Sequence, residues 1–188
     1  MFEAFPYLYA GSLAWPPRLV GELAGALSER MRATPQWHEL SAKLAALGST
    51  SVGKPAPGFT MRNAAGRNVS LKDFRGRWVL VQFWASWCPH CRAEAPALVE
   101  LYTRFAGSDF EMVGVALDRS RADWLAQIEA GGRTWPQLSD LKGWDSQVAK
   151  LYGVSAIPAN FLIDPQGRIV AVNLRGAALT DALAGVLK

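Results

Sequence analysis

The stretch Phe83-Trp84-Ala85-Ser86-Trp87-Cys88-Pro89-His90-Cys91 decides how this chain is read. It holds the only two cysteines in 188 residues, spaced C-x-x-C. A near-continuous apolar run, Trp78 to Trp84, leads into it, and an amphipathic stretch follows. Such a run fits a strand buried on both faces, and two cysteines at the mouth of the next helix read as a redox dithiol on an α/β scaffold. Beyond the motif, Ala95, Leu98, Tyr102 and Phe105 continue the spacing of Cys88 and Cys91 in steps of three and four, which is one face of a helix. Pro96 lies within that helix and predicts a kink, because it removes one backbone N–H.

Composition sets the bounds. The length suits one domain of ordinary size with an appendage, and half the residues are hydrophobic, enough for a sizeable core. No run reaches 18 consecutive apolar residues, so no membrane span is predicted. The net charge is +4. Residues 1–53 are neutral, with Arg18, Arg30, Arg32 and Lys43 against Glu3, Glu22, Glu29 and Glu39, so the excess belongs to the remainder. No basic run interleaved with aromatics is present, which argues against nucleic acid as a partner. Two cysteines do not make a disulfide framework, and a lone C-x-x-C is catalytic, metal-binding or structural. A zinc site needs about four ligands, which Cys88 and Cys91 with His90 or the distant His38 do not supply. Haem attachment needs C-x-x-C-H, and position 92 is Arg. No metal is therefore expected, and no cofactor beyond a redox-active disulfide.

In chain order, Phe5 to Leu13 is apolar, but Glu3 stands where a signal peptide would carry positive charge, so no targeting segment is read there. Pro16-Pro17 breaks the apolar stretch, and Leu19, Val20, Leu23, Ala24 and Leu27 repeat at helical spacing. Thr34-Pro35 signals a helix start, Trp37, Leu40, Leu44 and Leu47 form its stripe, and Gly48 is its expected end. The stripe is expected to pack on the main domain or on a second chain. Residues 48–58, rich in Gly, Ser and Pro, read as a linker. Asn63 to Arg67 reads as a hairpin-like turn, with Val69 to Leu71 as a short strand. Phe110 to Leu117 reads as a second buried strand, and Asp123 to Ile128 and Asp145 to Tyr152 as helices. Asp164-Pro165-Gln166-Gly167 between two apolar runs marks a hairpin, and Ala178 to Leu187 a closing helix. Trp124, Trp135 and Trp144 read as core or insert packing.

Residues 84–96, WASWCPHCRAEAP, resemble the active site of the thioredoxin superfamily. Within them W-C-x-x-C-R-x-E-x-P resembles the TlpA-like branch of extracytoplasmic thiol–disulfide oxidoreductases, redoxins related to the AhpC/TSA proteins. The resemblance runs from Val52 to the C-terminus. It implies a thioredoxin-like domain over residues 52–188, with a central mixed β-sheet and helices on both faces. Residues 1–51 then form a short N-terminal helical appendage, similar to the tail of the larger domain that some TlpA-like proteins carry. The resemblance also implies a location outside the cytoplasm, in the periplasm, with any tether belonging to a precursor or membrane-anchored parent. It implies protein thiols and disulfides as substrates and a protein as redox partner. A monomer is the expectation.

The chemistry follows from the pattern. Cys88 at a helix N-terminus, where free N–H groups favour negative charge, should be the attacking thiolate, with a pKa below the about 8.5 of free cysteine. Pro89 fits the first turn, and His90 in its protonated form adds positive charge. Cys91, one turn in, should resolve the mixed disulfide. Glu94 matches the acidic residue of the TlpA-like motif and faces nearly the same side as Cys91, as a proton partner should. Gln82 departs from ordinary thioredoxins, which carry a buried Asp there, and Gln does not titrate. Ile157-Pro158 matches the superfamily's cis-proline loop, which lies against the dithiol and offers backbone to a substrate chain. Trp87 is expected to form an exposed apolar rim, and Trp84 to be packing. Two other readings stand beside this one. A thiol peroxidase of related fold would need Thr or Ser at position 85, which is Ala. A non-catalytic binding module would use Cys88–Cys91 as a structural bridge.

Overall fold

The computed structural model describes residue 25, residues 28–107 and residues 109–187. The expected helix over Leu19 to Leu27, the Pro16-Pro17 break and the apolar Phe5 to Leu13 stretch lie outside the described residues, Gly25 apart. In chain order the elements are α1 (Glu29–Arg32), α2 (Pro35–Ser49), β1 (Thr60–Arg62), β2 (Asn68–Ser70), a 3-10 turn (Leu71–Phe74) and β3 (Trp78–Trp84). There follow α3 (Pro89–Phe105), β4 (Phe110–Ala116), α4 (Arg121–Ala130), β5 (Gln137–Leu138) and a second 3-10 turn (Gly143–Asp145). The chain closes with α5 (Gln147–Leu151), β6 (Ala159–Ile163), β7 (Ile169–Val172) and α6 (Gly176–Val186).

Five strands form a mixed sheet in the order β5-β4-β3-β6-β7. β3 lies at its centre, parallel to β4 and antiparallel to β6. From Leu80 to Trp84 its side chains are at most 1% exposed, Gln82 included. Burying one such Leu or Phe contributes about 1.5–3 kcal/mol. Alternation along the strand sends Val79, Val81 and Phe83 into one core, with Phe59, Tyr152 and Phe161. Leu80 enters the other core, where Leu98 and Leu101 of α3 meet Leu179 and Leu183 of α6. α4 and α5 supply Trp124, Val148 and Ala149 to the first core, so helices cover both faces, as the thioredoxin resemblance implies.

Several boundaries differ from expectation. α2 runs one residue past Gly48 to Ser49. Its stripe is not core: no residue of α2 is buried, and Leu40 and Leu47 are 40% and 42% exposed. The helix touches the domain mainly at its C-terminal end, where Leu47 lies over Gly153 and Thr50 Oγ1 donates to the Tyr152 carbonyl at 3.3 Å. Leu71 belongs to a 3-10 turn rather than a strand, because Ser70 and Asp73 form a capping box there. The Asp145 to Tyr152 segment divides into a 3-10 turn and a five-residue helix. α3 continues through Pro96 without interruption. β5 has only two residues and carries no periodicity from which to predict it. Trp124 and Trp135 are buried, whereas Trp144 is 43% exposed.

Tyr152 joins the layers. Its ring makes edge contacts with Phe59 and Phe161, and its hydroxyl donates to the Pro57 carbonyl at 2.8 Å. Tyr152→Phe leaves that carbonyl unpaired and should lower stability by about 1–2 kcal/mol. Tyr152→Ala also opens a cavity and should lower it by about 3–5 kcal/mol. Urea unfolding midpoints check both values, and equal losses would show that the hydroxyl, not the ring, carries the contribution.

Candidate active site

β3 ends at Trp84, and four residues later Cys88 is the N-cap of α3. Pro89 follows at the first helical position, where its missing N–H costs nothing. The Cys88 sulfur accepts the Cys91 N–H at 3.2 Å, the role a Ser or Asp oxygen plays at other helix starts. Cys88 and Cys91 are joined as a disulfide. Cys88 keeps 3% exposure and Cys91 none, so of the pair only Cys88 reaches the surface. The Ile157-Pro158 bond is cis, and the Ile157 carbonyl oxygen lies 3.8 Å from the Cys88 sulfur. The loop preceding β6 therefore faces the dithiol directly.

The approach to Cys88 is pinned from β4. Both carboxylate oxygens of the buried Asp118 accept the Ser86 N–H, at 3.1 and 3.2 Å, and Oδ1 also accepts the Ser86 hydroxyl. Burial pushes the Asp118 carboxyl up, against the opposing pull of the Ser86 hydrogen bonds. Trp87 donates its indole N–H to the Leu117 carbonyl at 3.2 Å and keeps 49% exposure. It leans on Trp144, with centroids 6.2 Å apart, so two exposed indoles stand together next to Cys88 in the chain, Trp87 being its neighbour. His90 and Arg92 are exposed on the first turn of α3.

Glu94 sits behind the pair, half-way into the protein. Its side chain is 16% exposed and its carboxyl is raised above the ordinary value, chiefly by burial. The ion pair with Arg175 (3.2 Å) and the amide of Gln82 (3.5 Å) oppose that rise. Gln82 is 1% exposed, and its Oε1 has no hydrogen-bond partner. Arg175 uses its second nitrogen to donate to the Pro158 carbonyl, so one guanidinium ties the carboxylate of α3 to the cis-proline loop. Asn160 holds that arrangement from β6: it donates to the Leu174 carbonyl at 2.7 Å and accepts the Leu174 N–H at 3.0 Å.

The structure thus brings Cys88, Cys91, Pro89, Ile157 and Pro158 together, with Glu94 on the inner side of the helix and Trp87 on the outer rim. Asp118, Arg175 and Asn160 were not among the expected residues. Asp118 had a signal, a lone carboxylate closing an apolar strand. Arg175 and Asn160 had none, since their partners lie far away in sequence. No group of three metal-ligating side chains occurs among the described residues.

Comparison with known proteins agrees with this geometry. The AhpC/TSA family model matches residues 52–172. The chain belongs to the AhpC/TSA family. It is 33% identical over 124 residues to the thiol-disulfide oxidoreductase ResA of Bacillus subtilis (strain 168), covering 66% of this chain and 68% of that relative. The thioredoxin domain of a thiol-disulfide oxidoreductase from Bacteroides vulgatus superposes with a TM-score of 0.69 at 36% identity, covering 73% of this chain and 99% of that one. A thiol:disulfide interchange protein from a Bacteroides species superposes at 0.68 and 37% identity, over 74% of this chain and 91% of that one. With the joined C-x-x-C pair, these likenesses make this AhpC/TSA-family protein a thiol–disulfide oxidoreductase of thioredoxin-like, ResA-related type.

Glu94 gives the site a pH signature. Its raised carboxyl means that the folded state holds the proton more tightly than the unfolded chain. That stabilisation is complete below the ordinary value of 4.5 and is lost as pH rises through the raised folded value. Glu94→Gln, neutral throughout, should therefore gain on the wild type in unfolding midpoint as pH rises across this window. A constant difference between the two proteins would mean that Glu94 is not perturbed by burial.

Proposed function

We propose that the protein exchanges electrons with dithiols and disulfides of other proteins through a mixed disulfide on Cys88, which Cys91 resolves. The observation that carries this reading is the Cys88 sulfur at the helix N-terminus, 3.8 Å from the backbone carbonyl of Ile157. A sulfur so placed can meet a thiol on an extended chain lying along the cis-proline loop. In the oxidised form, a substrate thiolate attacks Cys88 Sγ, the Cys88–Cys91 bond breaks, and Cys91 leaves as a thiolate. A second substrate thiolate then attacks the substrate sulfur bound to Cys88, and Cys88 leaves with the pair of electrons. The substrate gains a disulfide and the protein two thiols. In reverse, Cys88 attacks a substrate disulfide and Cys91 displaces the reduced substrate.

Glu94 fits the proton traffic at Cys91. A carboxyl raised by burial can hold a proton for the departing thiolate and take it back from the thiol on the return. Gln82 offers no proton, and its amide instead orients the carboxylate. The two sulfurs hold both electrons, so the reaction needs no cofactor. Trp87, with Pro89 and His90, borders the face that a polypeptide would cover. We read the protein as working outside the cytoplasm, in the periplasm, where disulfides persist, and as derived from a precursor or tethered parent. The resemblance to the extracytoplasmic branch supports that reading. No helix among the described residues is long and apolar enough to cross a membrane. Ala85, fully buried, offers no hydroxyl to support peroxide reduction.

Insulin reduction by the reduced protein tests the proposal. Cys88→Ser should abolish it, leaving less than about 1% of the wild-type rate, since the nucleophile is gone. Cys91→Ser should instead accumulate a covalent Cys88–substrate adduct, visible on non-reducing electrophoresis. An unchanged rate in Cys88→Ser would overturn the assignment.

A further inference from the structure

Arg133 is a cation inside the protein. It lies just beyond α4, past Gly131-Gly132, and its side chain folds back across Gly131, where even a Cβ would collide with the guanidinium. The residue is 3% exposed. Its guanidinium lies over the indole of Trp84, 4.0 Å from the ring centroid. Nη2 donates to the carbonyl of Cys91 at 3.1 Å, Nη1 to the carbonyl of Gln127 at 3.2 Å, and Nε has no hydrogen-bond partner. No carboxylate touches it among the described residues; Glu94 acts on it only through space. A buried charge without a contacting counter-ion is strongly unfavourable. Two carbonyls and an aromatic face would be served as well by a neutral donor.

We infer that Arg133 is a positioning residue that supplies the counter-charge for the thiolate form of the Cys88–Cys91 pair and so sets its redox equilibrium. The bond to the Cys91 carbonyl holds the cation against the first turn of α3, the turn that carries both sulfurs. In the disulfide neither sulfur is charged, and the cation acts only on Glu94, through space. In the reduced protein a thiolate appears there. A charge that interacts with only one state shifts the equilibrium towards that state, here towards the reduced pair. The other charged or titratable groups around this turn are Glu94 on α3, which opposes the thiolate, Arg175 before α6, which bonds Glu94, Asp118 after β4, which bonds Ser86 two residues before Cys88, and the exposed His90 and Arg92 on the turn itself. Gln82 on β3 is neutral, and α4 contributes only the Gln127 carbonyl.

This inference rests on the disulfide-exchange reading, but its test needs no protein substrate. The protein is equilibrated with glutathione: the Cys88–Cys91 disulfide and two glutathione thiols give the dithiol and one glutathione disulfide. Two variants separate charge from hydrogen bonding: Arg133→Gln keeps a donor for the carbonyls and loses the charge, and Arg133→Lys keeps the charge. At about pH 7, R133Q should lower the equilibrium constant for reduction by about tenfold or more, equivalent to about 30 mV for a two-electron couple. R133K should stay within about threefold of the wild type, since its ammonium still offsets the thiolate. The R133Q difference should fade as pH falls below the thiol titration, where the reduced pair is neutral. Equal losses in both variants, no shift in either, or a shift that persists unchanged at acid pH would assign Arg133 a purely structural role and overturn the inference.

Discussion

The antiparallel pairing of β3 with β6 fixes where this site can be. Its register sets Phe83 opposite Ala159, so the strand that runs up to the dithiol and the strand that leaves the cis-proline share one end of the sheet. β4 runs parallel to β3 with Trp84 opposite Ala116, which brings Leu117 and Asp118 to that same end. Three separate loops therefore converge on Cys88 without any of them being long. The Ser86–Asp118 bonds then hold one loop, the Asn160–Leu174 bonds hold another, and Arg175 ties it to α3. Ladder hydrogen bonds in a buried sheet admit no slippage, because a one-residue shift would exchange the core faces of Gln82 and Phe83 and take Gln82 away from Glu94.

The sheet buries three polar side chains, Gln82 on β3, Gln137 on β5 and Asn160 on β6, and two of them serve the site. β3 is otherwise wholly apolar, yet it carries Gln82 towards Glu94. Burial drives the Glu94 carboxyl towards its neutral form, while Arg175 pulls it back. Burial outweighs that pull, so the carboxyl stays raised above its ordinary value, the setting on which the proton role proposed for it rests. A lone buried carboxylate would stay protonated, and a fully paired one would stay charged.

Much of this was legible in the sequence because it is local. The run Val79 to Trp84, the C-x-x-C spacing and the apolar face of α3 all lie within one helix or strand length. The Thr34-Pro35 start also follows from local rules: the Thr34 hydroxyl accepts the Trp37 N–H at 3.3 Å. What was not legible depends on pairs far apart. Arg175 meets Glu94 across 81 residues, and Arg133 meets Cys91 across 42. An arginine in a loop reads as a solvated charge until the fold closes over it. β5 escaped notice for the opposite reason, being too short for any period. Helical spacing reports a face that could be buried; on the α2 stripe Trp37 and Leu44 are half-buried, Leu40 and Leu47 stay exposed, and Leu47 lies over Gly153.

The two sulfurs are made unequal by a single backbone group. The Cys91 N–H is one of the unpaired donors of the helix start, and it points at Cys88 rather than at water. That bond is worth more to a thiolate than to a thiol or a disulfide sulfur, because charge strengthens it. The same stabilisation makes Cys88 the better leaving group when a substrate thiolate attacks the mixed disulfide. Cys91 has the opposite setting: it is fully enclosed, and its carbonyl rather than its sulfur is what Arg133 bonds. An enclosed sulfur cannot be reached by a second protein, so an intermediate on Cys88 meets Cys91 before it meets another partner. The order of the steps follows from access and charge at one helix turn.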